Sequence, residues 1–292
     1  MELYTLESDF LKLSVNGRGA ELSSIKCKRT GREYLWQRTA PFWESSSPIL
    51  FPMVGRLKDG KYYHDGYLHE MPIHGFAPAS EFALTTESNK LIFTLQDSHA
   101  TRQIYPFEFL LQVTFSLECN QLFVEYKVTN PSNNMDLIFG IGGHPGFMCP
   151  ITKILNSNCC YLEFDNTELL TGTIVTKAGF LSDKTYQLHL ENSCLPLSYG
   201  LFEKYLTLVF VDINTKKVTL KSKRDGTLVS MNFYTSHFAV WTQPGAHFIC
   251  LEPWDGLPDY ENSCGDYVKK RGNHVLPPRR IKSFSYNMCI GE

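Results

Sequence analysis

Apolar and polar residues alternate with a period of two in ten segments of this chain, and that pattern constrains its fold more than any other feature. Such alternation is typical of strands that bury one face. Short turn-forming sequences separate the alternating segments, so neighbouring strands are expected to be antiparallel. The segments are residues 82–88, 91–97, 109–118, 122–130, 207–213, 217–223, 228–234, 238–243, 247–254 and 282–288.

Ten or more strands with hairpin connections predict an all-β protein, either a sandwich or a barrel. No linker, repeat or charge block divides residues 1–292, so one domain is expected. No segment favours a helix of more than about two turns. Residues 267–273 indicate at most a short helical turn that ends at Gly272.

Composition excludes several classes of partner. The formal net charge is -2, which gives no electrostatic basis for binding nucleic acid or an anionic membrane. The chain has no run of about 18 apolar residues and no signal-peptide core near its start, so a cytoplasmic protein without membrane spans is expected. The nine cysteines, which include the adjacent Cys159 and Cys160, lack zinc-finger spacing and are expected to be reduced thiols.

Two stretches differ from the strand pattern. Residues 36–80 are rich in Pro, Gly, Trp and His, and long irregular segments of this kind usually carry function or cover something. Residues 139–150, FGIGGHPGFMCP, place one histidine between glycines and a Pro-Gly pair. Both stretches are therefore candidates for a binding site.

Three titratable residues stand among small or turn-forming neighbours: His74, His144 and Glu252. Glu252 follows an apolar strand, which Pro253 is expected to end, and a carboxyl desolvated there would have a raised pKa suited to a general base. Each residue also has a simpler interpretation. The histidines are equally compatible with backbone-bonded core residues, and Glu252 with a strand-end carboxylate in water.

The sequence offers weaker support for other binding and catalytic residues. Arg56 follows apolar residues 49–54 at a glycine turn, where its guanidinium fork suits hydroxyl or carboxylate groups, although it could simply lie in solvent. Cys149 has no pattern that supports a nucleophile. The histidines and Glu252 do not show zinc-ligand spacing, and GIGG at 140–143 is not a phosphate loop, so neither a metal nor a cofactor is expected.

An ordered series of motifs resembles the aldose 1-epimerase (galactose mutarotase) family, in particular its bacterial LacX-like branch. Each motif is weak alone, but the series covers nearly the whole chain. The motifs are GAELSSI (19–25), GREYLW (31–36), FW…SPILFPMVGRLKDGKY (42–62), HGFA (74–77), GIGGHPGF (140–147) and WTQPGAHFICLEPWDGLPD (241–259).

This resemblance implies a large antiparallel β-sandwich of the supersandwich type and a cofactor-free site that interconverts the α and β anomers of an aldohexose. Carried over by motif, Glu252 would take the proton of the C1 hydroxyl and His144 would protonate the ring oxygen O5. His74 would bind near O5 and help to orient the sugar, and Arg56 would bind hydroxyl groups. Acid–base chemistry with a glutamate and a histidine suits this reaction, because the roles must exchange in the reverse direction.

Aromatic residues near these motifs are candidates for a platform under the sugar. They are Trp43, Phe76, Phe147 and Trp254, with Trp43 preferred because it precedes the irregular segment around Arg56. A core role is an equally valid interpretation of each aromatic residue.

The resemblance is incomplete at two positions. The branch usually has an arginine soon after HGFA, where this chain has Pro78 and Ala79. The family often has an aspartate just before the strand at 207–213, where this chain has Tyr205 and Leu206. Two aspartates elsewhere, Asp212 and Asp255, are candidate replacements. The acid–base pair is thus retained while the sugar-binding shell is altered.

The sequence therefore predicts a mutarotase that acts on a small-molecule aldose as a monomer or a homodimer. Two alternatives stay open. One is a carbohydrate-binding or regulatory protein with little catalysis, and the other is a mutarotase for a phosphorylated hexose. A phosphate would require clustered cations near the pocket, for which Arg56 and Lys58 are thin support.

Overall fold

A computed structural model describes residues 2–151, 160–165 and 169–291. Within those ranges the chain forms 24 strands and two short α-helices. The first twelve strands are β1 (Leu3–Glu7), β2 (Leu11–Asn16), β3 (Leu22–Cys27), β4 (Ile49–Leu50), β5 (Lys61–His64), β6 (Tyr67–Glu70), β7 (Ala83–Glu87), β8 (Lys90–Gln96), β9 (Leu110–Glu118), β10 (Gln121–Thr129), β11 (Leu137–Phe139) and β12 (Ile141–Gly143).

The remaining strands are β13 (Gly146–Met148), β14 (Cys160–Phe164), β15 (Leu169–Val175), β16 (Leu181–His189), β17 (Cys194–Pro196), β18 (Thr207–Phe210), β19 (Lys217–Ser222), β20 (Gly226–Phe233), β21 (His237–Trp241), β22 (Phe248–Asp255), β23 (His274–Leu276) and β24 (Ile281–Ile290). The helices are α1 (His99–Ile104) and α2 (Tyr199–Tyr205), and single 3₁₀ turns lie at Lys58–Gly60 and Ala77–Ala79.

Two large sheets dominate the fold. A nine-stranded sheet has the order β17-β14-β19-β20-β24-β10-β9-β8-β7. An eight-stranded sheet has the order β16-β15-β18-β21-β22-β12-β4, with β13 also paired to β22. Every ladder between two of these strands is antiparallel, as the short connections predict. The expected all-β fold with large antiparallel sheets is therefore confirmed.

The main hydrophobic core lies where the two large sheets face each other. The rings of Phe164 on β14 and Phe210 on β18 meet edge to face at 6.2 Å between their centroids. Strand β10 shows the period-two pattern directly, because its buried residues alternate with more exposed ones along the whole strand. Burial of such alternating faces, at about 25 cal/mol per Å² of apolar surface, is what holds the sheets together.

Strand β22 differs from β10 because all eight of its residues are buried. Ile249 and Leu251 point into the main core, and Phe248, Cys250 and Trp254 belong to smaller clusters on the opposite face of the sheet. Glu252 shares the parity of this second group, so it too faces away from the main core. That opposite face carries the functional site.

Smaller sequence expectations have mixed outcomes. Residues 267–273 form turns instead of a helical turn, although Gly272 does adopt the expected left-handed conformation with φ of 81°. No helix among the described residues exceeds two turns, as expected, and none is long and apolar enough to span a membrane. Cys159 lies outside the described ranges, and no disulfide joins the eight cysteines within them.

Candidate active site

A cavity of about 270 Å³ opens on the face of the eight-stranded sheet that points away from the main core. Arg56, His74, His144 and Glu252 all line it, so the four polar residues singled out in the sequence converge. Glu252 stands more than a hundred residues after the other three, and the strand order of the sheet brings it next to them.

Glu252 lies on β22, but the strand does not end beside it as expected. It continues through Pro253, which pairs with Phe238 on β21, to Asp255. On its other side, β22 pairs with β13 and β12, and that side is interrupted between Gly143 and Gly146. The backbone N–H of Leu251 faces this gap, and Pro253, two residues further on, faces it too. Because no strand lies opposite Pro253 on that side, the N–H that proline lacks costs the sheet no hydrogen bond.

His144 and Pro145 occupy the gap itself, directly opposite Glu252. The carbonyl of Pro145 accepts a hydrogen bond from the Leu251 N–H at 3.1 Å, which fixes the loop against β22. Nε2 of His144 then lies 3.1 Å from Oε2 of Glu252. A break in one strand thus places a carboxyl group and an imidazole side by side on the sheet.

The pair is almost completely removed from water, with Glu252 exposed by 1 % and His144 by 7 %. Burial raises the pKa of Glu252 well above its ordinary value, opposed by the side chain of Trp254. Burial lowers the pKa of His144 well below its ordinary value, and the neighbouring His74 acts in the same direction. Both shifts bring the groups towards their uncharged forms.

Several polar atoms on the cavity wall lack a well-aligned hydrogen-bond partner among the described residues. They are both carboxylate oxygens of Glu252, Nδ1 of His144 and Nε1 of Trp254. The 3.1 Å contact between His144 and Glu252 has the length of a hydrogen bond but not its alignment. Buried polar groups are nearly always hydrogen-bonded in folded proteins, so this cluster indicates a site prepared for a polar ligand.

His74 is held in one orientation by three backbone hydrogen bonds. Its N–H donates to the carbonyl of Gly55, its carbonyl accepts from Phe51, and its ring Nδ1 accepts from the N–H of Gly55 at 3.1 Å. Since Nδ1 is an acceptor, the proton of the neutral ring must be on Nε2. Burial lowers the pKa of His74 to about 4, and the charge of Arg56 adds to this effect. His74 is therefore a neutral hydrogen-bond donor at neutral pH.

Tryptophan side chains enclose His144. Trp43 packs over its ring with centroids 4.9 Å apart, and Trp241 meets it edge to face at 5.7 Å. An aromatic face beside a histidine stabilises the protonated imidazole. Trp43 and Trp254 line the cavity, as their predicted role requires. Trp241 also lines the cavity. The sequence did not identify it, because nothing in its local sequence distinguishes it from any other aromatic residue of a strand.

Two other aromatic candidates lie elsewhere. Phe147 is fully buried in the main core, where β13 places it opposite Ile249. The prediction that Phe147 contacts substrate therefore does not fit, since its parity on β13 points it away from the cavity. Phe76 also belongs to the main core.

The glycines around His144 make room for aromatic side chains. A Cβ atom on Gly146 would lie 2.8 Å from Trp43, and one on Gly143 would lie 2.9 Å from the hydroxyl of Tyr126. A Cβ on Gly142 would lie 2.8 Å from Trp254. The small-residue frame therefore allows the cavity walls and the core to approach the backbone beside His144.

The remaining wall comes from residues that the sequence did not identify. They are Gly55, Ile73, Val175, Gly179, Thr207, Val209 and Pro258. Thr207 stands next to the positions where the resemblance led us to expect an aspartate. The suggested replacements, Asp212 and Asp255, line a different cavity and so do not fill that role. Cys149 is buried and is not part of the wall.

One further grouping concerns metals. His144, Cys250 and Glu252 offer possible ligand atoms that all lie within 4.8 Å of one another. Burial raises the pKa of the Cys250 thiol well above its ordinary value, and the nearby Glu252 carboxyl adds to this. The metal-free thiol is therefore protonated, and a metal ion could bind here only by displacing that proton.

Comparisons with known proteins agree with this geometry. The chain is 30 % identical to the plasmid-encoded protein LacX of Lactococcus lactis over 265 residues, which is 86 % of this chain and 87 % of LacX. A galactose mutarotase related enzyme from Lactobacillus acidophilus superposes with a TM-score of 0.90 at 28 % identity, covering 100 % of this chain and 98 % of that one. A galactose mutarotase-like protein from Lactobacillus casei gives 0.91 at 27 % identity, covering 99 % and 100 %.

A family model described as aldose 1-epimerase matches residues 2–278, which include every residue of the cavity wall. The motifs that carry the sequence resemblance all lie within that match. This chain therefore belongs to the aldose 1-epimerase family.

Proposed function

We propose that this protein is a mutarotase that interconverts the α and β anomers of an aldohexose, with Glu252 and His144 as its acid–base pair. The observation that supports this most is the 3.1 Å approach of the two side chains in a cavity about the size of one sugar ring. Family membership and the similarity to galactose mutarotase-like proteins make galactose and glucose the first candidates.

In the proposed reaction Glu252 takes the proton from the C1 hydroxyl. The C1–O5 bond breaks with its electron pair moving to O5, and His144 donates a proton to that oxygen. The product is the open-chain aldehyde with an O5 hydroxyl. Rotation about C1–C2 presents the other face of the aldehyde, and the reverse transfers close the ring. General acid–base catalysis of this kind contributes about 10² to 10⁴-fold per group.

The forward reaction needs a Glu252 carboxylate and a protonated His144, whereas burial favours the opposite proton position. In both arrangements the two side chains together hold one proton, which lies either on His144 or on Glu252. A bound sugar offers its C1 hydroxyl to the unpartnered oxygens of Glu252, which stabilises the carboxylate. The face of Trp43 stabilises the imidazolium at the same time. Substrate binding thus stabilises the form in which Glu252 is a carboxylate and His144 is protonated.

Other wall residues would orient the ring. His74 donates from Nε2 to a sugar oxygen, because its Nδ1 is occupied by Gly55. Arg56 presents its guanidinium to sugar hydroxyls at the mouth of the cavity. Trp43 and Trp254 provide apolar surface for the C–H groups of the pyranose.

Anomer exchange measured by NMR on a panel of aldoses tests the proposal. Each pure anomer is dissolved, and the approach to equilibrium is followed with and without protein. We expect faster exchange for at least one aldohexose. If the protein binds sugars but never exceeds the spontaneous rate, it is a carbohydrate-binding protein and the proposed catalysis is wrong.

One observation favours a phosphorylated aldose as a second candidate substrate. A wider cavity of about 570 Å³ adjoins the first, and both share Arg56, Val175, Gly179 and Thr207 among their lining residues. Lys177 lines only the wider cavity. Within the described ranges, neither Arg56 nor Lys177 forms an ion pair, so two unpaired cations line this space beside a single carboxylate, Asp59.

Lys177→Ala separates the two candidates. If the substrate carries a phosphate, the KM for the hexose phosphate rises while exchange of the free hexose is unchanged. A wild-type KM for every phosphorylated sugar in the variant removes Lys177 as a phosphate-binding residue.

A further inference from the structure

A second polar cavity, of about 410 Å³, lies at the other end of strands β21 and β22. It shares no lining residue with the proposed active site. His237 of β21 has the parity of Trp241, so it faces the same side of the sheet as the first cavity. Asp255, at the end of β22, lines the cavity beside it. The mutarotase reaction uses none of these residues.

The protonation of His237 follows from its hydrogen bonding. Its Nδ1 accepts the backbone N–H of Asp212 at 3.1 Å. The ring is 7 % exposed, and its pKa is lowered mainly by burial, against the charges of Asp212 and Asp255. A neutral ring with Nδ1 as acceptor must carry its proton on Nε2.

His274 is fixed in the same form by a different partner. Its Nδ1 lies 2.8 Å from Nζ of Lys282. An ammonium group can only donate, so Nδ1 is an acceptor and the proton is again on Nε2. That Nε2 is buried without a hydrogen-bond partner, 3.7 Å from Oδ1 of Asp255. The ring itself packs between Phe139 and Phe284.

These tautomers decide which ligands the cavity can take. A metal ion needs the lone pair of Nε2, and in both histidines Nε2 carries the proton because Nδ1 is already used. Both histidines therefore line the cavity in a form whose Nε2 is a hydrogen-bond donor. A metal would require both Nδ1 contacts to be broken.

Acceptors lie beside these donors. Asp255 is 5 % exposed and uses Oδ1 to accept the N–H of Ser236, which leaves Oδ2 for a ligand. Oδ1 of Asn273 is buried without a partner. Asp212 adds a second carboxylate at the rim. The two carboxylates disfavour an anion, because the one lining cation, Arg271, is already paired with Asp183. The many polar atoms disfavour an apolar molecule.

Only a group that both donates and accepts satisfies this mixture, and a hydroxyl does so. Tyr260 provides an aromatic side at the rim, with the guanidinium of Arg271 stacked over its ring at 4.2 Å. We propose that this cavity is a second binding site for a neutral polyhydroxylated molecule, a sugar or similar polyol. The site does not depend on the mutarotase activity.

NMR of the intact protein tests this with galactose and glucose as probes. Long-range ¹H–¹⁵N spectra of the imidazoles report on His237 and His274, and the indole N–H signals of Trp43, Trp241 and Trp254 report on the first cavity. We expect both sets of signals to shift, with different half-saturation concentrations. The free imidazole spectra should show the Nε2–H form for both histidines.

His274→Phe keeps the aromatic packing but removes the donor, and it should weaken binding at the second site by about tenfold while the indole titration is unchanged. Asp255→Asn, which retains an acceptor for the Ser236 N–H, should weaken the same site if His274→Phe fails to fold. His99→Phe makes the same chemical change on α1, outside the cavity, and should leave both titrations unchanged.

Two results would overturn the proposal. In the first, saturating sugar shifts only the indole signals. In the second, Zn²⁺ coordinates both imidazoles through Nε2 while neither sugar shifts them.

Discussion

Nε2 of His144 lies 3.1 Å from Oε2 of Glu252 because the strand opposite Glu252 is broken at His144. The same break accommodates Pro253, whose missing N–H faces the gap. Two departures from regular sheet structure therefore coincide and position the proposed acid–base pair. The following predictions depend on that pair and on the loops that hold its neighbours.

Glu252→Gln should reduce anomer exchange by about 10² to 10⁴-fold, since the amide cannot accept the C1 proton. The fold should be retained, because glutamine is isosteric and the buried carboxyl has no well-aligned partner to lose. Exchange rates by NMR and a thermal melt measure the two effects. Wild-type exchange in this variant would exclude Glu252 from the reaction.

The pH dependence of kcat/KM should be bell-shaped, with a plateau whose acid end lies below 6.5 and whose alkaline end lies well above 4.5. Burial favours a neutral pair with one proton on Glu252. As pH falls, His144 binds a second proton only below its ordinary 6.5, and as pH rises, Glu252 loses its proton only above its ordinary 4.5. Both ends of the plateau are thus displaced from the ordinary values. A single ionisation at 6.5 would contradict the coupled pair.

Two substitutions of His74 should separate its two nitrogens. His74→Asn keeps an acceptor for the Gly55 N–H and tolerates the positive φ of 65°, but lacks the distal donor. It should preserve stability and reduce kcat/KM by about tenfold or more. His74→Gln should have the opposite effects. It should lower stability because the N–H of Gly55 loses its acceptor, and it should retain more of kcat/KM because it keeps a donor near the sugar. Equal stability and equal kcat/KM in both variants would argue against these roles.

A buried ion pair supports the loop that carries Arg56. Nζ of Lys270 lies 3.5 Å from Asp259, whose other oxygen accepts the N–H of Lys58 and whose own N–H donates to the carbonyl of Arg56. Asp259→Ala should destabilise the protein by about 3–5 kcal/mol, because it leaves the Lys270 charge buried and unpaired. Urea denaturation measures this.

Asp183→Ala is the matched control for Asp259→Ala. Asp183 forms an exposed ion pair with Arg271, so its loss should cost about 1 kcal/mol or less. The Asp259 variant should also raise the KM for the sugar, because the N–H of Lys58, two residues after Arg56, loses its carboxylate acceptor. A stability loss no larger than that of Asp183→Ala would mean that the buried pair does not hold the loop.

The fold followed from the sequence because alternation is a local signal. The ten predicted segments all contain strands, since each side chain position along a strand is buried or exposed according to its parity. Alternation could not predict the two-residue strand β4 or the three-residue strands β12 and β13, because they are too short to show a repeat. Those short strands border the active site.

The acid–base residues were visible because turn-forming neighbours and the family motifs marked them. The cavity wall was not, since Val175, Thr207 and Val209 resemble any strand residue until the sheet is assembled. Phe147 was predicted to contact the sugar because it is close to His144 in the sequence. That closeness does not reveal which face of β13 its side chain occupies, and the side chain lies in the main core. The second cavity depends on contacts such as Lys282 to His274 that no motif records.

The tight packing around Gly142, Gly143 and Gly146 limits which parts of the cavity wall can be substituted. No side chain atom can be added there without displacing Trp254, Tyr126 or Trp43, so the floor beside His144 and Glu252 has almost no freedom to vary. Gly179 on the rim is restricted too, because its φ is 83° and a Cβ atom would lie 3.2 Å from the Arg56 side chain. Substitutions that change which sugar is accepted are therefore expected at Val175, Thr207 and Val209, which line the cavity with side chains of their own.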